Sequence, residues 1–209
     1  HNSRFKALNA VAASNAAVIE RPERWGLFGL IMITLSLRSV LSYGFMAFIP
    51  LFLMNVLGQT EAASSLAISL FSVAGMVGTA LSGRTSEAVG AHRLTIACLA
   101  ITALAGAAFA LNGSSVGLAL ALTAVLAIGI DLFYPSAVAV GMGYVPQHLG
   151  MASGLTYGVA ICLGGVAEPF LGMAGDAFGL TPVMLTLAII ALAAALLSIV
   201  IKKLDGTQA

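Results

Sequence analysis

Six apolar stretches, at about 26–57, 63–81, 94–111, 116–143, 151–171 and 182–201, take up most of the chain. Each exceeds the roughly 17 residues with which a helix crosses about 30 Å of hydrocarbon. Lipid offers the backbone no hydrogen-bonding partner, so stretches of this kind fold as helices. Pro50 is expected to shorten or kink the first. The chain is 60% hydrophobic and 8% charged, with a mean hydropathy of +1.05, where a soluble domain carries about 25% charge. A single soluble core is therefore excluded, and the lipid bilayer is the first expected partner. The net charge of +1 comes from basic residues scattered among loops, which gives nucleic acid no surface to bind. Cys98 and Cys162 fall within apolar stretches and read as small hydrophobes, with no disulfide framework implied.

The boundaries follow from this pattern. Residues 1–24 are polar and alanine-rich and read as a cytoplasmic linker; 25–201 form a six-helix membrane bundle; 202–209 form a cytoplasmic tail. The opening at His1, without methionine or a cleavable leader, is expected of a cut chain. Lys and Arg accumulate on the cytoplasmic side of membranes. Arg4, Lys6, Arg21 and Arg24 precede the first stretch, Arg84 and Arg93 follow the second, and Lys202 and Lys203 follow the last. The alternate loops contain no basic residue and carry Glu61 and Asp176. Both termini are thus expected in the cytoplasm. Asn112-Gly113-Ser114 has the form of a glycosylation sequon, but so short a loop makes it a chance match.

The chain also repeats. Gly83, Glu87 and Gly90 recur 89 residues later as Gly172, Asp176 and Gly179, once on each predicted side of the membrane. Two three-helix units of opposite orientation, at about 26–111 and 116–201, would produce this, and inverted repeats of that kind mark transporters.

Three ionisable side chains lie inside the apolar stretches: Arg38, Asp131 and Glu168. Charge at that depth costs several kcal/mol unless it meets a partner or water, and is a functional candidate for that reason. Asp131 is followed four residues on by Pro135, which has no amide proton and is expected to leave the Asp131 carbonyl free. Arg38 lies about 18 Å into its stretch at 1.5 Å per residue. Asp131 lies as many residues from the same side in a stretch running the other way, so an ion pair at common depth is expected. Two roles remain open for it: a proton-exchanging site with Arg38 tuning the acid or holding an anion, or a permanent bridge pinning two helices. Tyr43 and Tyr134 stand near these charges in sequence and are candidate hydrogen-bond donors to the same path. Glu168, before Pro169, lies near the outer end of the fifth stretch and is a candidate external proton acceptor.

The segment Gly83-Arg84-Thr85-Ser86-Glu87-Ala88-Val89-Gly90-Ala91-His92-Arg93 resembles the signature loop of the major facilitator superfamily, which joins the second and third helices of a six-helix unit. It departs from that pattern in having Glu87 for aspartate and Ala91-His92 where a basic pair is usual. Leu37-Arg38-Ser39 with Phe48-Ile49-Pro50-Leu51, and Gly150-Met151-Ala152-Ser153-Gly154 with Gly164-Gly165 and Pro169, are similar to the seventh and eleventh helices of exporters of the fosmidomycin-resistance type. The resemblance implies an all-α membrane fold and the carboxyl-terminal six-helix half of a proton-coupled efflux antiporter in a bacterial inner membrane. It also implies a small drug-like or anionic substrate, protons as coupling ion, and a second six-helix bundle as partner, either a separate half or another copy. Gly83, Arg84, Glu87, Gly90 and Arg93 would then form a gating loop. Small residues at every fourth position, Ala74, Gly78 and Ser82 on the second stretch and Gly154, Gly158 and Cys162 on the fifth, permit close helix contact. That contact is either with the opposite bundle, as the resemblance implies, or within this one.

Two other classes of function compete. A six-helix intramembrane serine protease needs a Gly-x-Ser-Gly nucleophile and a histidine in a later span. Met151-Ala152-Ser153-Gly154 lacks the first glycine, and His1, His92 and His148 lie outside the stretches, so the serine has no base. A module that only dimerises or scaffolds would not depend on Asp131. No metal-binding or phosphate-binding motif is present, and no cofactor is expected.

Overall fold

The computed structural model describes residues 23–207. The predicted linker at 1–24, apart from Glu23 and Arg24, falls outside these. Among the described residues all regular structure is helical: α1 (Trp25–Asn55), α2 (Glu61–Val89), α3 (Ala91–Ala110), α4 (Val116–Asp131), α5 (Tyr134–Gly143), a 3₁₀ turn (Pro146–His148), α6 (Leu149–Gly154), a π-helical turn (Leu155–Val159), α7 (Ala160–Phe178) and α8 (Leu180–Thr207). Among the described residues six runs are long and apolar enough to cross a membrane; α4 with α5 make the fourth, Val116–Gly143, and the elements from Pro146 to Phe178 make the fifth. Thr60 and Ser115 start α2 and α4 by accepting the backbone N–H of Ala63 and Leu118, which satisfies donors that a helix start leaves orphaned. Asn112, whose side chain bonds both the N–H and the C=O of Ser115, shapes the turn before α4. The sequon there is thus part of a structural turn.

Two expected loops are helix. Gly83, Arg84 and Glu87 belong to the last turns of α2, and Arg93 to the first turn of α3, so only Gly90 of the predicted gating loop lies outside a helix. The reason is that loss of hydropathy marks the end of the membrane, whereas Arg, Glu and Ala are good helix formers that carry the helix on into water. What ends α2 is Gly90, at φ +89°, whose N–H returns to the Ser86 carbonyl; that backbone favours a residue without Cβ. Gly179 does the same between α7 and α8, at φ +89° with its N–H on the Gly175 carbonyl. The predicted outer loop around Gly172 and Asp176 is accordingly the end of α7. Likewise α8 runs through Lys202 and Lys203 to Thr207, where a tail was expected.

Packing repeats with the same period. α2 packs on α4 as α7 packs on α1; α1 packs on α8 as α4 packs on α3; and α3 pairs with α8. Exchanging the first three spans for the last three leaves these pairings unchanged. Glycines let the backbones approach. Gly75 on α2 and Gly164 on α7, themselves 89 residues apart, each lie hard against the neighbouring span, Gly75 on Asp131 and Gly164 on Ser39 and Tyr43. The centre is filled by Phe45, Phe52 and Phe109, the last two with ring centroids 5.2 Å apart.

The two small-residue faces have different fates. Ala74, Gly78 and Ser82 are buried within the bundle, and a Cβ on Gly78 would sit 3.2 Å from the Ile128 backbone. Gly154, Gly158 and Cys162 are exposed, and a Cβ on either glycine would meet nothing within 4 Å. Gly78→Val is therefore expected to lower unfolding stability in detergent by about 1–3 kcal/mol through overpacking, with Gly158→Ala neutral or slightly stabilising. Equal losses in thermal melts of both variants would contradict this assignment.

Candidate functional site

Asp131 is the last residue of α4, and the helix breaks at Leu132 and Phe133 before α5 resumes. Pro135 supplies the break: it has no N–H for the preceding turn and occupies the first turn of α5, where that lack is tolerated. Arg38 of α1 reaches into the break. Its Nη2 pairs with Asp131 Oδ1, its Nε donates to the Ile130 carbonyl at 3.3 Å, and its guanidinium lies 4.2 Å from the centre of the Tyr134 ring. The carbonyl that Arg38 engages is that of Ile130, next to the Asp131 carbonyl expected from Pro135 to lack its helical donor. On the far side the other carboxylate oxygen, Oδ2, is in contact with the space a Cβ on Gly75 would need.

The pair is enclosed without being sealed, at 13% and 19% exposure for the arginine and aspartate side chains. Among the described residues the partners of the guanidinium are a carboxylate, a carbonyl and a π face.

Tyr134 joins this site through its ring. Tyr43 does not; it lies on the α1 face against Gly164 of α7 and is 37% exposed. Glu168 is separate as well, partly buried in a groove between α1 and α7, eleven residues beyond Tyr157 and so about 16 Å along the helix from it. Sequence reasoning did not single out Tyr157. It is 52% exposed and packs edge-on to Tyr134 with ring centroids 6.4 Å apart, extending the cluster toward the open face of the bundle. The π-helical turn Leu155–Val159 carries it. Turns of this kind recur at functional sites, but no proline marks this one; only Gly154 before it and Gly158 within it hint at an irregularity.

A second polar cluster ties together the span ends nearest the chain termini. Asp205 of α8 accepts from Arg24 at 2.6 Å and pairs with His92 of α3 at 3.0 Å, while the Tyr144 hydroxyl lies 3.4 Å from the same His92 nitrogen. Arg24 also donates its backbone N–H to the Tyr144 carbonyl at 2.8 Å. Burial, reinforced by the negative charge of Asp205, pushes the Tyr144 phenol well above its usual range. Nearby, the hydrogen bond from His148 holds the Glu23 carboxyl below its ordinary value. Arg84, Glu87 and Arg93 of the predicted gating loop are exposed and form no ion pair among the described residues. Asp205 instead joins the end of α8 to Arg24 and to α3. Its one sequence signal was an acid placed just past the last apolar stretch, at an otherwise basic end.

A family model described as the Major Facilitator Superfamily matches residues 27–208. No curated protein matches the chain significantly.

Proposed function

Since the chain belongs to the major facilitator superfamily, a family of membrane transporters, we propose that it is one six-helix half of a proton-coupled secondary transporter that exports a small drug-like or anionic molecule. In this reading it consists of two inverted three-helix repeats, sits in a bacterial inner membrane with both termini cytoplasmic, and works against a second bundle, either a separate half or another copy. The observation that carries the reading is the Arg38–Asp131 pair, set at a helix break within an apolar span of membrane-crossing length and partly open.

The pair can act as an exchange. Asp131 in its charged form holds Arg38; when Asp131 takes a proton from one side, the guanidinium becomes available to an anionic group of the substrate. Loss of the proton restores the pair and expels the anion, so an anion held in this way travels with the proton, whereas a cationic drug-like substrate that competes with the proton for Asp131 moves in the opposite sense. Tyr134 keeps the guanidinium over the break throughout, and Tyr157 lines the approach. Tyr43 and Glu168 lie along the same open side of α1 and α7, away from the exchange itself. The gating role of Gly83, Arg84, Glu87, Gly90 and Arg93 reduces to a helix–turn–helix pivoting at Gly90.

Flux in proteoliposomes under an imposed proton gradient tests this. Asp131→Asn is expected to abolish proton-driven uptake, a loss of about two orders of magnitude or more where the coupling proton is the driving force, while the protein elutes and melts as a folded species. Unchanged coupled flux in Asp131→Asn would remove the proposed site, and a scaffold function would leave the activity of the whole assembly indifferent to it.

A further inference from the structure

At the membrane face remote from the Asp205 cluster, α1 and α7 leave a groove lined by Ala47, Phe48, Leu51, Gly165, Glu168 and Pro169. Its polar groups are acceptors. Glu168 is partly buried and has no hydrogen bond or ion pair among the described residues. Pro169 has no N–H to give the carbonyl four residues earlier, so the Gly165 carbonyl, on the same groove, also lacks its helical donor. The other walls are apolar and include Phe48. A Cβ at Gly165 or at the adjoining Gly172 would meet nothing within 4 Å, so the glycines keep the groove open. The cavity volume is about 360 Å³, toward the lower end of the range that takes a drug-sized molecule.

We propose that this groove is a binding site for lipophilic organic cations, with Glu168 as counter-ion. A carboxylate in apolar surroundings gains most from an opposite charge brought to it. The chemistry of the lining selects the kind of cation. Hard metal ions want about six oxygen ligands, and one carboxylate with one carbonyl falls short. A quaternary ammonium or phosphonium needs no directed donor set; its charge sits by the carboxylate and the aromatic face, and its body fills the apolar walls. The site builds on the transport reading and adds a locus of opposite sign to Arg38, well separated from it: Ala47 lies nine residues beyond Arg38 on α1, about 14 Å along the axis.

Equilibrium dialysis of the purified full chain in detergent, with radiolabelled tetraphenylphosphonium, tests the site without requiring transport. Saturable binding is expected. Glu168→Gln is expected to weaken it by about tenfold or more, Glu168→Asp to retain part of it, and Gly165→Leu to weaken it by filling the groove. Tetraphenylborate, of the same shape and opposite charge, is expected to show no binding that depends on Glu168. Absence of saturable phosphonium binding, equal affinity in Glu168→Gln with a native melting profile, or equal dependence of tetraphenylborate on Glu168 would overturn the proposal. So would loss of binding in Asp131→Asn matching that in Glu168→Gln, which would move the cation to the other acid. Failure of coupled flux with phosphonium binding intact would count against the transport reading and leave this site standing.

Discussion

Arg38→Met is expected to destabilise the folded bundle by about 3–5 kcal/mol, because it leaves the Asp131 carboxylate in hydrocarbon without its cation. Asp131→Leu alone is expected to cost a similar amount by stranding the guanidinium against Tyr134 and the Ile130 carbonyl. Combining the two removes both charges, and the double variant Arg38→Met/Asp131→Leu is expected to recover most of the loss, since a well-packed apolar pair of similar volume is often no worse than a buried ion pair. The recovery falls short of complete by the Ile130 carbonyl, which loses its donor at a cost of about 1–3 kcal/mol. Unfolding in detergent, followed by helical signal for all four proteins, measures the coupling. Strictly additive losses would mean that the two side chains act on separate partners. The cycle also divides structure from transport: a bridge that only pins α1 to the break between α4 and α5 predicts a refolded double variant with normal flux, whereas the exchange reading predicts a refolded and inactive one.

How much of this was readable beforehand differed residue by residue. The Arg38–Asp131 juxtaposition was legible because both residues interrupt apolar stretches whose direction and depth follow from counting at a fixed rise, and lipid leaves a charge few alternatives to a partner. Gly90 and Gly179 were legible as a repeat, though their use as helix stops at positive φ emerges only from the backbone. The extent of α2 past Ser82 was not, since hydropathy reports where the bilayer ends and says nothing of a helix that continues in water. Asp205 was missed because its partners, Arg24 and His92, are 181 and 113 residues away in sequence. Nor does periodicity distinguish a small-residue face that is used inside the bundle, as at Gly78, from one left open, as at Gly158: both have the same spacing, and the neighbour alone decides. The π-helical turn under Tyr157 leaves little compositional trace beyond Gly154 and Gly158, since it shifts a backbone register without needing a special residue.

Gly75 and Gly164 turn the repeat into a measurable difference. Both are closed to a Cβ, but by different atoms: at Gly164 the added carbon would fall 2.8 Å from the Ser39 carbonyl carbon and 2.6 Å from the Tyr43 ring, whereas at Gly75 it would collide with the carboxylate of Asp131. Alanine at either position is expected to cost about 1–3 kcal/mol by overpacking. At Gly75 the carboxylate must also swing away from Arg38, which adds part of the cost of the broken pair. Removing that carboxylate makes room, so Gly75→Ala in an Asp131→Ala background is expected to cost at least about 1 kcal/mol less than in the unmodified chain, while Gly164→Ala, without a shared partner, stays additive with Asp131→Ala to within about 0.5 kcal/mol. Melting midpoints of the six proteins supply both cycles. Coupling of equal size at the two glycines would show that the obstacle at Gly75 is the approach of α2 to α4 as a whole and that Asp131 has room to move. The glycine would then be a packing device like its counterpart. Coupling confined to Gly75 would mean that one copy of a repeated contact has been given over to holding a carboxylate in place, and that the position of Asp131 is set from two sides, by Arg38 pulling and by α2 leaving it no other place to go.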